Sequence, residues 1–297
     1  MSFIEISGVC KAFGAKASMR HVLEDVTLTV EHGEFVSIVG FMGCGKSTLL
    51  NIAAGLLPAD AGHVRIRGEL VGGIPGIPDI PDGAAIVFQN YSLLPWFSAS
   101  ENVRLAVAAR FPTWSRAAHE GQSRRYLEMV GLANAMHRRP SQLSGGMRQR
   151  VAIARAFATE PDILFLDEPF SALDALTRAA LQEELAHLCA AAERPVTAIL
   201  ITNSVEEALL LSDRIVPMTR GPAATLGASV GVVIPRPRTA AALMRDREAQ
   251  RVRTHVVEWL AAYVQPARKT PRLHAPPPHA KHRIGATAPA MVSESET

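Results

Sequence analysis

The chain has 297 residues, 48% of them hydrophobic and 20% charged, a composition that buries a sizeable core and favours one large domain, alone or with a small appendage. A net charge of +3 with only three Trp and three Tyr argues against nucleic acid as a partner. No apolar run approaches the roughly 20 residues that span a bilayer, the start "MSFIEISGVCKAF" lacks a secretory pattern, and Cys10, Cys44 and Cys189 are scattered without metal-ligand spacing, so a cytosolic protein with reduced thiols is expected.

The first 39 residues predict short β-strands. "FIEISGV" and "HVLEDVTLTV" alternate apolar and polar side chains, and "EFVSIV" runs into a glycine. From Lys46 the apolar residues Leu49, Leu50, Ile52 and Ala53 recur at helical spacing, and "GHVRIRG" returns to strand period. The turn-rich stretch 72 to 83 is compatible only with an irregular loop. Ser98 to Arg139 has helical periodicity. Ile163 to Leu166, Val196 to Ile201 and Arg214 to Val216 are short apolar strands separated by helices, the alternation of a parallel sheet. A final helix is expected over Ala240 to Tyr263, with Leu243, Val252, Val256, Trp259 and Leu260 as its apolar positions. Residues 266 to 297, rich in Pro, His, Lys and Arg, predict a disordered tail because few large apolar residues offset the entropy of ordering.

"GFMGCGKST" (Gly40, Phe41, Met42, Gly43, Cys44, Gly45, Lys46, Ser47, Thr48) fits the phosphate-binding pattern G-x-x-x-x-G-K-[ST], with a strand before it and a helix after it. The glycines permit turns that aim N–H groups at phosphate oxygens, Lys46 supplies a cation for the β- and γ-phosphates, and Ser47 offers a hydroxyl to Mg²⁺. "ILFLDE" is a buried strand delivering two carboxylates at its carboxyl end, where ligands of an α/β sheet collect. Asp167 is assigned to Mg²⁺. Glu168, expected to point elsewhere, is the candidate general base for the attacking water. "LSGGMRQRVAIARAF" adds a second anion-binding helix start, with Ser144 as N-cap and Gly145 and Gly146 exposing backbone N–H groups. Two such helix ends suit one nucleotide shared by a head-to-tail pair of chains.

These motifs, in this order over about residues 3 to 220, resemble the ATP-binding subunit of an ABC transporter. The resemblance implies an α/β P-loop NTPase core with an antiparallel β subdomain and an α-helical signature subdomain. It implies a nucleotide-binding domain over 3–235, followed by a helical extension over 236–265. By the same resemblance Phe13 stacks on adenine, Gln89 senses Mg²⁺ and the γ-phosphate, and Asp174 of "SALD" lies at the dimer seam. The residues alone leave other roles open: Phe13 as a core aromatic, Gln89 as a strand-end polar group and Asp174 as a helix cap.

"NYSLLPWFSASENV", Asn90 to Val103, is similar to the segment of importers whose exposed apolar side chains receive a permease. The wording "SLLPW", "DRIVPMTRGPAATLG" and "PRPR" resembles the branch importing nitrate, nitrite, cyanate, sulfonates and taurine, and "ITNSVEEALLLSDRI" leans to nitrate. The implied partners are membrane permease subunits, a second ATPase chain (self or homologue) and, indirectly, a periplasmic binding protein. The implied location is the cytoplasmic face of the membrane, and the implied ligands are ATP and Mg²⁺. A soluble ABC ATPase with no transport role is an alternative class. Asn203 departs from the pattern, because the family places there a histidine that contacts the γ-phosphate and orients Glu168. Asparagine keeps a neutral donor at shorter reach, so hydrolysis is expected to be slowed, or the chain to be an impaired regulatory partner of a second ATPase. The competing reading has Asn203 cap the helix that follows it.

Overall fold

The computed structural model describes residues 2–15, 18–72, 77–191 and 195–263; the expected tail, 266 to 297, lies outside the described residues. Two sheets organise the chain. β1 (Ile4–Phe13) and β2 (Arg20–Val30) are antiparallel and join β4 (Ala61–Ile66) and β5 (Glu69–Val71) in the order β2-β1-β4-β5. The second sheet runs β10-β9-β3-β8-β7-β6, from β3 (Phe35–Val39), β6 (Ala84–Val87), β7 (Ile163–Asp167), β8 (Thr197–Thr202), β9 (Arg214–Pro217) and β10 (Val230–Gly231). All its pairings are parallel except that of the edge strand β10.

The central strands β3, β7 and β8 are buried at every position and mostly apolar because both faces are covered. Leu164, Leu166, Ala198 and Leu200 face one cluster, shared with α2 (Ala99–Arg110), α3 (Arg116–Met129), α4 (Gly145–Phe157) and α5 (Ala175–Ala191). Ile163, Phe165, Ile199 and Ile201 face the other, shared with the antiparallel sheet and α1 (Lys46–Ala53). Of residues 98 to 139, expected to be helical, 99–110 and 116–129 form α2 and α3, each started by a serine, while 130–139 is mostly turns. Ser98 makes a full capping box with Glu101, and Ser115 accepts from Ala118 N–H.

The helix expected over 240 to 263 is instead two, α7 (Ala240–Arg245) and α8 (Arg247–Ala262). Asp246 takes φ −77° and ψ 125° and accepts from Ala249 N–H, so its carboxylate caps a new helix rather than continuing the old one. Leu243, Ala249, Val252 and Val256 join the helical core cluster, which also contains Leu209 of α6 (Val205–Leu211). Among the described residues no helix is long and apolar enough to cross a membrane.

Candidate functional site

β3 ends where the phosphate loop begins, and the loop returns into α1. Gly43 and Gly45 have φ of 73° and 112°, and a Cβ on Gly45 would lie 3.0 Å from side-chain atoms of both Val22 and Leu23. Glycine is therefore favoured at 45 by its left-handed conformation, and a Cβ there would in addition press on two side-chain methyl groups. Cys44 is buried, and burial pushes its thiol pKa up, so it serves the packing beneath the loop.

The Lys46 ammonium, 3% exposed, donates at 3.0 Å to the carbonyls of both Gly40 and Phe41. Its Nζ also lies 3.2 Å from Glu168 Oε1. Ser47 Oγ donates to Asp167 Oδ1 at 2.9 Å. Successive residues of α1 thus meet successive carboxylates of the β7 end. Sequence alternation predicts that Asp167 and Glu168 point apart, but both reach the loop because Glu168 leaves the strand at φ 42°. A left-handed conformation at a non-glycine residue is uncommon and accumulates at functional sites. Burial raises the pKa of Asp167; the Glu168 carboxylate adds to that, while Ser47 and Lys46 oppose it.

A cavity of about 300 Å³ opens over the loop, lined by Gly43 to Thr48, Phe13 and Glu168. Phe13 is 45% exposed, which excludes the core-aromatic role, and Lys11 Nζ lies 5.6 Å from its ring centroid. Arg20, His21, Val22, Gly221 and Pro222 complete the wall. Sequence reasoning misses these five as site residues, although the register that pairs Phe13 with Arg20 is the signal that brings β2 there. Gly221 and Pro222 lie in "RGPAATLG", which the resemblance uses only as a branch marker.

Gln89, Asn203, Ser144, Gly145, Gly146 and Asp174 do not line the cavity. Gln89 Nε2 donates to Ser171 Oγ at 3.3 Å, and Ser171 Oγ in turn donates to the Glu168 carbonyl at 3.0 Å, so Gln89 connects to the β7 end through one hydroxyl. Asn203 is exposed just after Thr202, whose carbonyl accepts from Gly40 N–H at 3.3 Å. It is not a helix cap: Ser204 caps α6, accepting from Glu207 N–H, because Ser204 is the residue immediately before the first helical turn. Asp174 Oδ1 does cap α5, accepting from Thr177 N–H at 3.0 Å. Ser144 caps α4 by accepting from Met147 N–H, leaving Gly145 and Gly146 at the helix start. A Cβ on Gly146 would overlap Thr177, so α4 and α5 approach each other at that glycine.

The family model described as ABC transporter matches residues 23–171. The nitrate import ATP-binding protein NrtD of Synechococcus elongatus is 46% identical over 258 residues, covering 87% of this chain and 91% of its own. The bicarbonate transport ATP-binding protein CmpD of Synechocystis sp. is 42% identical over 259 residues, covering 87% and 89%. The nitrate import ATP-binding protein NrtC of Synechococcus elongatus is 43% identical over 259 residues, covering 87% of this chain and 38% of that relative. Among solved structures, the dimeric post-hydrolysis state of the ATP-binding cassette MJ0796 bound to ADP and Pi matches with a TM-score of 0.70 and 30% identity, covering 78% of this chain and all of that one.

Proposed function

The chain belongs to the ABC transporter family and is the ATPase subunit of an ABC importer, and we propose that the uptake it powers is of nitrate or nitrite. The observation that supports the choice of solute is the 46% identity to the nitrate import protein NrtD, against 42% and 43% for bicarbonate relatives. The ATPase does not touch the solute, so the alternative cargoes are bicarbonate, cyanate and the sulfonates including taurine.

In this mechanism the backbone N–H groups of the loop from Gly40 to Thr48 and the Lys46 ammonium bind the β- and γ-phosphates, while Phe13 stacks on the adenine. Ser47 and Asp167 are hard oxygen donors already in contact, which suits Mg²⁺, and with Gln89 they are the residues that would hold it. The chemistry the ion would supply there is neutralisation of charge on the phosphate oxygens. Lys46, ion-paired with Glu168, finds a second anionic partner in the phosphate. As it exchanges partners, Glu168 Oε1 is freed to take a proton from the attacking water. Asn203 donates a neutral N–H where an imidazole would reach further, and hydrolysis at this site is slowed.

Ser144, Gly145 and Gly146 sit outside this chain's own cavity, and they complete the site of a second chain in a head-to-tail dimer with Asp174 at its seam. That second chain is another copy or a homologue. One organism, Synechococcus elongatus, holds relatives under both the NrtC and NrtD names, which favours a mixed pair. The nucleotide-binding domain is 3–235 and the helical extension 236–265. The protein sits on the cytoplasmic face of the membrane, with Trp96 and Phe97 against the permease. A periplasmic binding protein delivers the anion to the other side.

Reconstitution of the ATPase subunits with their permease and binding protein in vesicles tests the solute. ATP-driven accumulation of ¹⁵N-nitrate is the expected result. Accumulation of ¹³C-bicarbonate with no nitrate uptake would overturn the assignment.

A further inference from the structure

The stretch between Gln89 and α2 is fastened to α2 and α4 by side-chain hydrogen bonds. Asn102, 2% exposed on α2, ties down the turn that carries Trp96. Its Oδ1 accepts from Leu94 N–H at 2.8 Å, and its Nδ2 donates to the carbonyls of Leu94, Phe97 and Ser98 at 3.2, 3.2 and 2.9 Å. Trp96 itself is 62% exposed.

Just upstream, Tyr91 and Ser92 are both left-handed, with φ of 64° and 46°. Two adjacent non-glycine residues persist in that region only where their surroundings hold them. The Arg155 guanidinium, from the last turn of α4, takes both of their carbonyls: Nη1 donates to Ser92 at 2.6 Å and Nη2 to Tyr91 at 3.0 Å. A planar fork suits two carbonyls in one plane in a way that an ammonium does not. The Tyr91 ring carries the connection toward the other end of α4. Arg148 lies 5.4 Å from the ring centroid and also donates to the carbonyl of Leu143 at 3.1 Å, one residue before Ser144. The Tyr91 hydroxyl oxygen is 3.4 Å from the point a Cβ on Gly145 would occupy.

We propose that Arg155 and Arg148 latch Tyr91 and Ser92 to α4, so that displacement of the Trp96 turn by a partner moves the Ser144 end of α4 as part of one rigid body. The inference rests on the importer reading. Arg155 is a positioning residue in it: it lies outside the cavity and acts through the helix. The latch matters to the response of ATP turnover to the permease, and not to turnover by the ATPase subunits alone.

The test uses the complete complex in vesicles with Arg155→Met and, separately, Tyr91→Leu. Three readouts are taken: co-purification with the permease, ATPase activity of the subunits alone, and stimulation of that activity by the permease with nitrate-loaded binding protein. Co-purification and basal activity are expected to be retained, while stimulation falls by about ten-fold, within the range of ordinary inter-site coupling. Arg155→Lys, which keeps the charge and loses the fork, restores only part of it. Stimulation at the wild-type level in both variants overturns the latch. Should Arg155→Met fail to fold, Tyr91→Leu decides alone by the same criterion. A wild-type complex whose ATP hydrolysis responds to its permease with none of nitrate, bicarbonate, cyanate or taurine on the binding protein sinks the importer reading itself, and the latch with it; a response to one of the other anions alone overturns only the solute, and the variants are then compared with that anion.

Discussion

Ser47 Oγ donates to Asp167 Oδ1 at 2.9 Å, joining the first turn of α1 to the end of β7 across 120 positions of sequence. The contact brings an alcohol and a carboxylate to one point beside the phosphate loop. Asp167→Asn keeps an acceptor for Ser47 and removes the charge. Mg²⁺-dependent hydrolysis is expected to fall by about 10²–10³, the scale of losing one fixed electrostatic contact in a reacting site. Binding of a fluorescent ATP analogue in EDTA should be retained. Wild-type turnover in the variant would remove Asp167 from the metal site.

Asn203→His tests whether the residue after β8 limits chemistry. A homodimer carrying the histidine should hydrolyse ATP faster, by up to about 10²–10³ if the missing contact resembles a lost oxyanion donor. A flat or lower rate, measured at saturating Mg·ATP, excludes Asn203 as the limiting residue.

Glu207 supplies a pH dependence. It is 5% exposed and accepts from Thr202 Oγ1 at 2.5 Å. Burial raises its pKa above the ordinary 4.5, against the lowering effects of Thr202, Arg178 and Gln182. The folded chain therefore keeps a proton that the unfolded chain releases at the ordinary value. The stability from this difference is fully present below pH 4.5 and is lost as pH rises through the raised folded value. Glu207→Gln has no proton to lose, so its melting temperature relative to wild type should climb through that window and then level off. A difference that stays constant with pH would show that Glu207 does not titrate in this way.

Gly227 bears on the C-terminal helices. A Cβ there would overlap the Trp259 indole of α8. Gly227→Ala is expected to cost about 1–3 kcal/mol, the range for overpacking a filled contact. Denaturant melts read the loss, and Trp259→Leu in the same chain should recover part of it. Equal midpoints for Gly227→Ala and wild type would show that the helix shifts freely.

Much of the site is legible in the residues because short-range chemistry writes it. The phosphate loop needs glycine at fixed offsets, and the spacing of Gly40, Gly45, Lys46 and Ser47 states that need directly. Ser144 as the cap of α4 is equally local. The strands 163–166, 196–201 and 214–216 are evident because strands buried on both faces read as largely apolar runs. The expected single C-terminal helix is two for a local reason as well: Leu243 and Val252 are about two and a half turns apart and share no face of one continuous helix, and Asp246 between them is a capping residue.

Other features depend on contacts that no spacing reports. Alternation along β7 separates Asp167 and Glu168, yet the turn at Glu168 brings one to Ser47 and the other to Lys46. The helix cap expected of Asn203 belongs to Ser204, a shift of one residue that only the path of the chain out of β8 decides. Arg20, His21 and Pro222 enter the cavity wall because two sheets meet there.

By itself the sequence determined the ligand class, the family resemblance and the order of the elements, since each is carried by residues a few positions apart. The tertiary structure decided which carboxylate meets which loop residue, and it placed Ser144 away from its own chain's cavity. It also showed that Arg155 reaches back 63 positions to Ser92. Those are long-range contacts, and they exist only once burial of the two apolar clusters has brought the elements together.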